Sequence, residues 1–171
     1  PRSSSAASDV YKRQVSKEEI SKRNLGQDIP ILLNFLPNVV TTSDAGAGIG
    51  YTGIRIRGIN SQSTNVTING IPYNDAESLG TFWVDLPDFS SSVENLQVQR
   101  GIGTSVNGSS AFGASINILT DKISLEPYFE SANTVGSFNT IKNNFRFSTG
   151  LLNDNFEFSG RLSKIDSDGY I

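Results

Sequence analysis

Between Val93 and Thr120 the chain sets two short alternating segments around a cluster of glycines, and this constrains its fold more than any other feature. Leu96 and Val98 alternate with Gln97 and Gln99, and Ile116 and Ile118 sit two apart after Ser115. A period of two places one set of side chains on a buried sheet face. Between the segments lie Gly101, Gly103, Gly108 and Gly113, with small Ser and Ala residues and one aromatic, Phe112. Glycines this dense permit positive φ and close backbone approach. The unit reads as strand, Arg100-Gly101, packed turn, strand.

Upstream, Ser16-Lys17-Glu18-Glu19 forms a capping box and predicts a short helix that Gly26 ends. Asp28 is a candidate second cap. Ile29, Leu32, Leu33 and Leu36 come next at helical spacing until Pro37 forbids continuation, which predicts a core-packing helix. Val39–Thr42 is β-branched and strand-like. The glycine-rich run Asp44–Gly50 could suggest a dinucleotide loop. That chemistry requires the loop to open a helix whose amides face pyrophosphate. The run leads instead into Ile54–Arg57, an alternating strand, so it reads as a turn.

Composition removes several function classes. The 171 residues contain no Cys, His or Met and carry a net charge of −3. Without His the commonest proton shuttle and metal ligand is gone, and without Cys there is no thiolate site. No basic surface for nucleic acid is evident. Asp75, Glu77, Asp85 and Asp88 form an acidic cluster. Catalysis would need one of them in a dry pocket with a raised titration point; among turn formers they read as surface carboxylates. No metal site and no cofactor are expected. No run of about 18 apolar residues is present, so no transmembrane helix is expected, which leaves short barrel strands possible.

From Leu125 onward the texture changes. Asn144, Arg146 and Ser148 alternate with Phe145, Phe147 and Thr149. Beyond Asn153-Asp154, Phe156, Phe158 and Leu162 alternate with Glu157, Ser159, Arg161 and Ser163. This predicts strands over Tyr128–Val135, Ile141–Leu151 and Phe156–Ile165, with a tight Asn-Asp turn. Apolar-out, polar-in hairpins suit a membrane barrel, and a soluble antiparallel sheet gives the same pattern. Ile165–Tyr170 lacks the twelve-residue ligand set of a calcium loop.

The run VENLQVQRG…NGSSAFGASINILT resembles the end of the plug domain of TonB-dependent outer-membrane receptors. GIRIRGINSQSTNVTINGIPYN, Gly53–Asn74, resembles that family's other plug signature, an "IRG" followed by a "V-x-I-D/N-G-V/I-P" strand. The resemblance implies an α+β plug with a small mixed β-sheet and short helices, followed by the opening antiparallel strands of an incomplete transmembrane β-barrel. The plug is expected over 15–122 and the first three strands of a truncated barrel over 123–171. Such barrels close about 22 strands. Residues 1–14, Ser/Ala-rich and unlike the family, are expected to be a non-native or disordered leader.

The resemblance further implies an outer-membrane receptor of a Gram-negative bacterium. Its function would be energy-coupled uptake of a scarce nutrient such as a siderophore, cobalamin or glycan. Its partners would be the TonB protein of the inner-membrane motor, a small-molecule or glycan ligand and the outer membrane, with no nucleic acid. Arg57 and Arg100 would form plug–barrel ion pairs with glutamates beyond Ile171. Asn60, Gln62, Tyr73, Asn74 and Trp83 are ligand-contact candidates, and Gly58, Gly70, Gly101 and Gly113 are turn glycines. A soluble mixed-sheet binding module without transport is the alternative from a different class.

Overall fold

The computed structural model describes residues 12–101, 113–120 and 122–170. The parallel pair at the centre of the fold is β4 (Thr64–Ile68) beside β7 (Ala114–Thr120). On the other side of β7 runs β6 (Val93–Arg100), antiparallel, and β1 (Lys12–Ser16) then pairs with β6. The two-residue β5 (Ile71–Pro72) closes the far edge, giving the order β1-β6-β7-β4-β5. The alternation of the Val93–Thr120 unit holds: Leu96, Val98, Ile116 and Ile118 are buried. Burying each such side chain stabilises by about 1.5–3 kcal/mol.

Lys12–Gln14 correct the expected leader. These three residues form most of β1, in register with Gln97–Gln99. Nothing in Lys-Arg-Gln announces a strand. The open edge of β6 supplies the hydrogen-bonding partner, and Val15 anchors the strand in the core. Residues 1–11 lie outside the described residues, as do Gly103, Gly108 and Phe112.

The first helix, α1 (Lys17–Arg23), starts as its capping box requires, with Ser16 Oγ accepting from the Glu19 amide at 3.4 Å. The second, α2 (Ile29–Leu32), is a single turn rather than a helix running to Pro37. Ile29, Leu32, Leu33 and Leu36 are nonetheless all buried. The helical spacing therefore identified the core residues correctly, although turns and not a continuous helix deliver the last two. A two-stranded sheet of β2 (Val39–Ser43) and β3 (Thr52–Ile56) packs beside α2.

The C-terminal sheet is antiparallel, with β9 (Ile141–Leu152) between β8 (Tyr128–Val135) and β10 (Phe156–Asp166). Asn153 and Asp154 both have positive φ, 49° and 57°, in a three-residue connection that the Asn155 amide closes by donating to the Leu152 carbonyl at 3.1 Å. Phe129, Phe145, Phe158 and Leu162 are exposed on one face. On the other, Lys142 and Asn144 are buried against the five-stranded unit, and Ser148 is buried beside Glu157 of the same sheet. Among the described residues no helix is long and apolar enough to cross a membrane, which says nothing of strands.

Candidate functional site

The polar face of β9 and β10 meets the five-stranded unit at one carboxylate. Asp88 opens the 3-10 turn Phe89–Ser92, with a left-handed backbone (φ 50°), and is 1% exposed. Lys142 Nζ lies 2.6 Å from its Oδ1. Arg161 Nη1 at 3.2 Å and Asn144 Nδ2 at 2.8 Å both donate to Oδ2, as does the Ser163 hydroxyl. Ser91 Oγ donates to Oδ1 from the same turn as Asp88, at 2.6 Å. Lys142 Nζ also donates to Asn24 Oδ1 and Ser91 Oγ, each at 3.1 Å. Every proton of the ammonium thus has an acceptor, which a buried charge requires.

Asp88 therefore corrects the surface reading of the acidic cluster. Its burial raises the titration point, but hydrogen bonds from Lys142, Ser163 and Ser91 and the Lys142 charge outweigh that, and it lies below the usual carboxylate range. The stabilisation is complete above the unfolded value of about 3.9 and is lost as pH falls through the lower folded value. Asp28 has the opposite sign. Burial holds its carboxyl above the usual range, against hydrogen bonds from Thr52 and the Gly50 backbone. It therefore costs stability as pH rises from the unfolded value through the raised one. Denaturation midpoints followed from neutral to strongly acid pH should fall below about pH 4 in the native chain. In Asp88→Asn that fall should be smaller, with Glu18 and Asp75, also held below the usual range, supplying the rest, while Asp28→Asn should lack the loss on rising pH; equal profiles for Asp88→Asn and the native chain would contradict this.

At another place on the five-stranded unit, the structure gathers several residues singled out in the sequence. Arg100 Nη1 donates to the Pro37 carbonyl at 3.3 Å, and the Arg57 amide to the neighbouring Asn38 carbonyl at 2.8 Å. A Cβ added to Gly101 would lie 3.0 Å from Arg57 Nη1. Gly101 N donates to the Gly113 carbonyl and Gly113 N to that of Ser63, so the two arginines share this corner with the 3-10 turn Ser61–Ser63. Gly58, Gly70 and Gly101 have positive φ. Gly113 is fixed differently, since a Cβ there would meet Ile59 Cγ2 at 2.6 Å. Asn60 and Gln62 are exposed on the same turn, joined by a 3.2 Å side-chain bond.

The remaining candidates hold the fold together. Trp83 is buried in the core, so the structure gives it a packing role and not an accessible face. Tyr73 is half-buried against that core, and burial followed by the Asp85 charge pushes its hydroxyl up. The Asn74 amide is consumed by backbone. Its Oδ1 accepts from Val66 N at 2.7 Å, and Nδ2 donates to the carbonyls of Thr64 at 2.9 Å and Leu79 at 2.8 Å. Stranding these groups should make Asn74→Ala about 2–4 kcal/mol less stable in denaturant titration. A change under about 0.5 kcal/mol would return Asn74 to the surface class.

Sequence reasoning read Asp88 as a surface carboxylate and passed over Lys142, Asn24 and Ser91. The available signal was the polar face of the C-terminal strands, whose Lys142, Arg146 and Arg161 require counter-charge if buried. Arg146 lies 3.7 Å from Glu130 Oε2 and donates to the Tyr128 hydroxyl at 3.3 Å. Among the described residues no three His, Cys, Asp or Glu side chains converge as a metal site.

Residues 2–115 match the family profile described as TonB-dependent receptor plug domain. The chain is 31% identical over 156 residues to the vitamin B12 transporter BtuB of Vibrio vulnificus, covering 91% of this chain and 25% of that protein. It is 27% identical over 174 residues to the ferrienterobactin receptor of Escherichia coli, covering 91% and 23%. The crystal structure of the ferric yersiniabactin uptake receptor FyuA from Yersinia pestis superposes with a TM-score of 0.66 at 21% identity, over 97% of this chain and 25% of that one. The chain spans about a quarter of the length of these curated relatives.

Proposed function

The chain belongs to the TonB-dependent receptor plug family, and from that premise we propose that it is the gating plug and adjoining wall of an outer-membrane receptor for energy-coupled nutrient uptake. The observation that carries this reading is the two-faced C-terminal sheet. One face buries Lys142 and Asn144 against the plug, and the other exposes Phe129, Phe145, Phe158 and Leu162. A soluble sheet has no use for that polarity, whereas a barrel wall around a plug requires it.

In this reading the ligand would be a siderophore, cobalamin or glycan, and the TonB protein would draw on the plug. Asn60 and Gln62 would face the ligand, and Arg57 and Arg100 would pair with wall glutamates. Ligand can signal only by binding two plug states with different affinity. Seating is held by contacts that two discrete arrangements could exchange: the Asp88 cluster, and a second one where Tyr170 N donates to the Ala45 carbonyl at 2.9 Å.

The test is expression of the complete reading frame in a Gram-negative host lacking its own uptake receptors. The protein should fractionate with the outer membrane and support TonB-dependent growth on a ferric siderophore, cobalamin or an oligosaccharide. Recovery in the soluble fraction, with no such growth, would favour the soluble binding module.

A further inference from the structure

The four wall side chains around Asp88 have the form of a receptor for an anion. Lys142 and Asn144 come from β9, Arg161 and Ser163 from β10, each pair at alternate positions on the polar face. Asn144 and Ser163 are direct cross-strand partners, so the ladder itself fixes the spacing of the donors. All four present protons to one carboxylate, and that carboxylate belongs to the plug. Charge-assisted donors converging in this way bind any carboxylate or oxyanion of suitable size.

The surroundings continue the pattern along the wall. Lys142 and Asn144 line a cavity of about 330 Å³. Arg161 lines another of about 480 Å³ that Lys122 also faces. Arg146 borders both. Three carboxylates line these cavities, Glu18 and Glu130 the first and Glu157 the second. Glu130 is within 3.7 Å of Arg146, and Glu157 accepts from the Ser148 hydroxyl and the Ser124 amide. When Asp88 leaves with the plug, Lys142 and Arg161 lose the anion they now hold.

We propose that Lys142, Asn144, Arg161 and Ser163 form an anion-binding site on the inner wall, filled by Asp88 while the plug is seated and by a carboxylate or other oxyanion group of the cargo once it moves. The cargo half rests on the transport reading and narrows it to anionic, oxyanion-bearing ligands; the site itself does not depend on transport.

Chemical rescue tests the site. In Asp88→Ala protein in detergent, sodium formate should raise the unfolding midpoint in proportion to the logarithm of its concentration, as binding to the folded state dictates. Formamide and sodium chloride should not, and wild type should not respond. The same variant with Lys142→Met and Arg161→Met added should lose the response. If Asp88→Ala fails to fold without added anion, its refolded yield against formate gives the same reading. Indifference to formate, or an equal response in the triple variant, overturns the site.

The hand-over is tested in wild type with sodium citrate. If citrate takes the site only when Asp88 departs, it should speed hydrogen exchange of the amides of residues 88–92 by the factor one plus its concentration over its dissociation constant for Asp88→Ala. Unchanged exchange at citrate levels that saturate Asp88→Ala overturns the cargo half. A receptor that rescues with formate but supports no uptake overturns the transport reading and leaves the site standing.

Discussion

Replacing Lys142 by Met is expected to cost about 3–5 kcal/mol of stability, because it leaves a buried carboxylate without its nearest cation. The side chain is 3% exposed and Asp88 1%, so water cannot take over the lost contacts. Methionine fills the volume but offers nothing to Asp88, Asn24 or Ser91. The exposed pair Lys164–Asp166 is the contrast. Its 2.5 Å separation matches that of Lys142–Asp88, yet its side chains are 77% and 68% exposed. Lys164→Met should therefore change stability by less than about 1 kcal/mol. Distance does not decide between these pairs; access of water does. Removing both buried charges, in Asp88→Asn with Lys142→Met, should recover most of the loss, since an uncharged pair of similar volume is often neutral. Arg161 would remain, but it is partly exposed and also donates to Ser92 Oγ at 2.8 Å. Urea titration in detergent, monitored by the fluorescence of the single buried Trp83, supplies the cycle. Additive single and double variants, or a Lys142→Met loss below about 1 kcal/mol, would show that the cluster does not seat the plug.

What the sequence discloses and what it hides divide by the range of the interactions involved. The strand expected from alternation over Ile141–Leu151 forms and runs one residue farther, to Leu152, because the period of two is a local property. The cap at Ser16 and the Asn153-Asp154 turn are local as well, and both hold. β1 is not local. Lys12-Arg13-Gln14 is a strand only because β6 offers it an edge, 83 or more positions along the chain. Asn74 resembles an exposed amide until the backbone of Thr64, Val66 and Leu79 is folded around it. Asp88 comes after Pro87 among turn formers, and its turn geometry gives no hint of the cations that reach it from residues 142 and 161. Alternation shows which face of the C-terminal strands is polar. It cannot show which charge on the partner unit that face requires. The helix expected to reach Pro37 fails for a related reason: spacing reports burial, and burial there is met by one helical turn and the turns after it.

Arginine at Phe145 should separate a lipid-facing wall from a soluble sheet. Phe145 is on the outward face of β9, its ring 6.4 Å from Phe129, with Phe147 and Phe158 paired at 5.8 Å farther along. On a wall strand near the bilayer midplane, arginine costs about 2–4 kcal/mol, so Phe145→Arg should impair assembly into membranes. In a soluble sheet the same substitution would blunt an exposed apolar surface, leave stability nearly unchanged and raise solubility. The outward face itself provides the control. Lys164 and Asp166 occupy its end beside Asn143 and Ile141, where an apolar band would give way to polar headgroups. Lys164→Arg should therefore assemble as wild type does. Insertion into liposomes, read by protease protection and by flotation with the lipid, measures both variants. Equal insertion of Phe145→Arg and wild type would place the aromatic face away from lipid. Selective failure of Phe145→Arg would mean that the face opposite the Asp88 site is set against the membrane, as the two-faced construction of these strands requires.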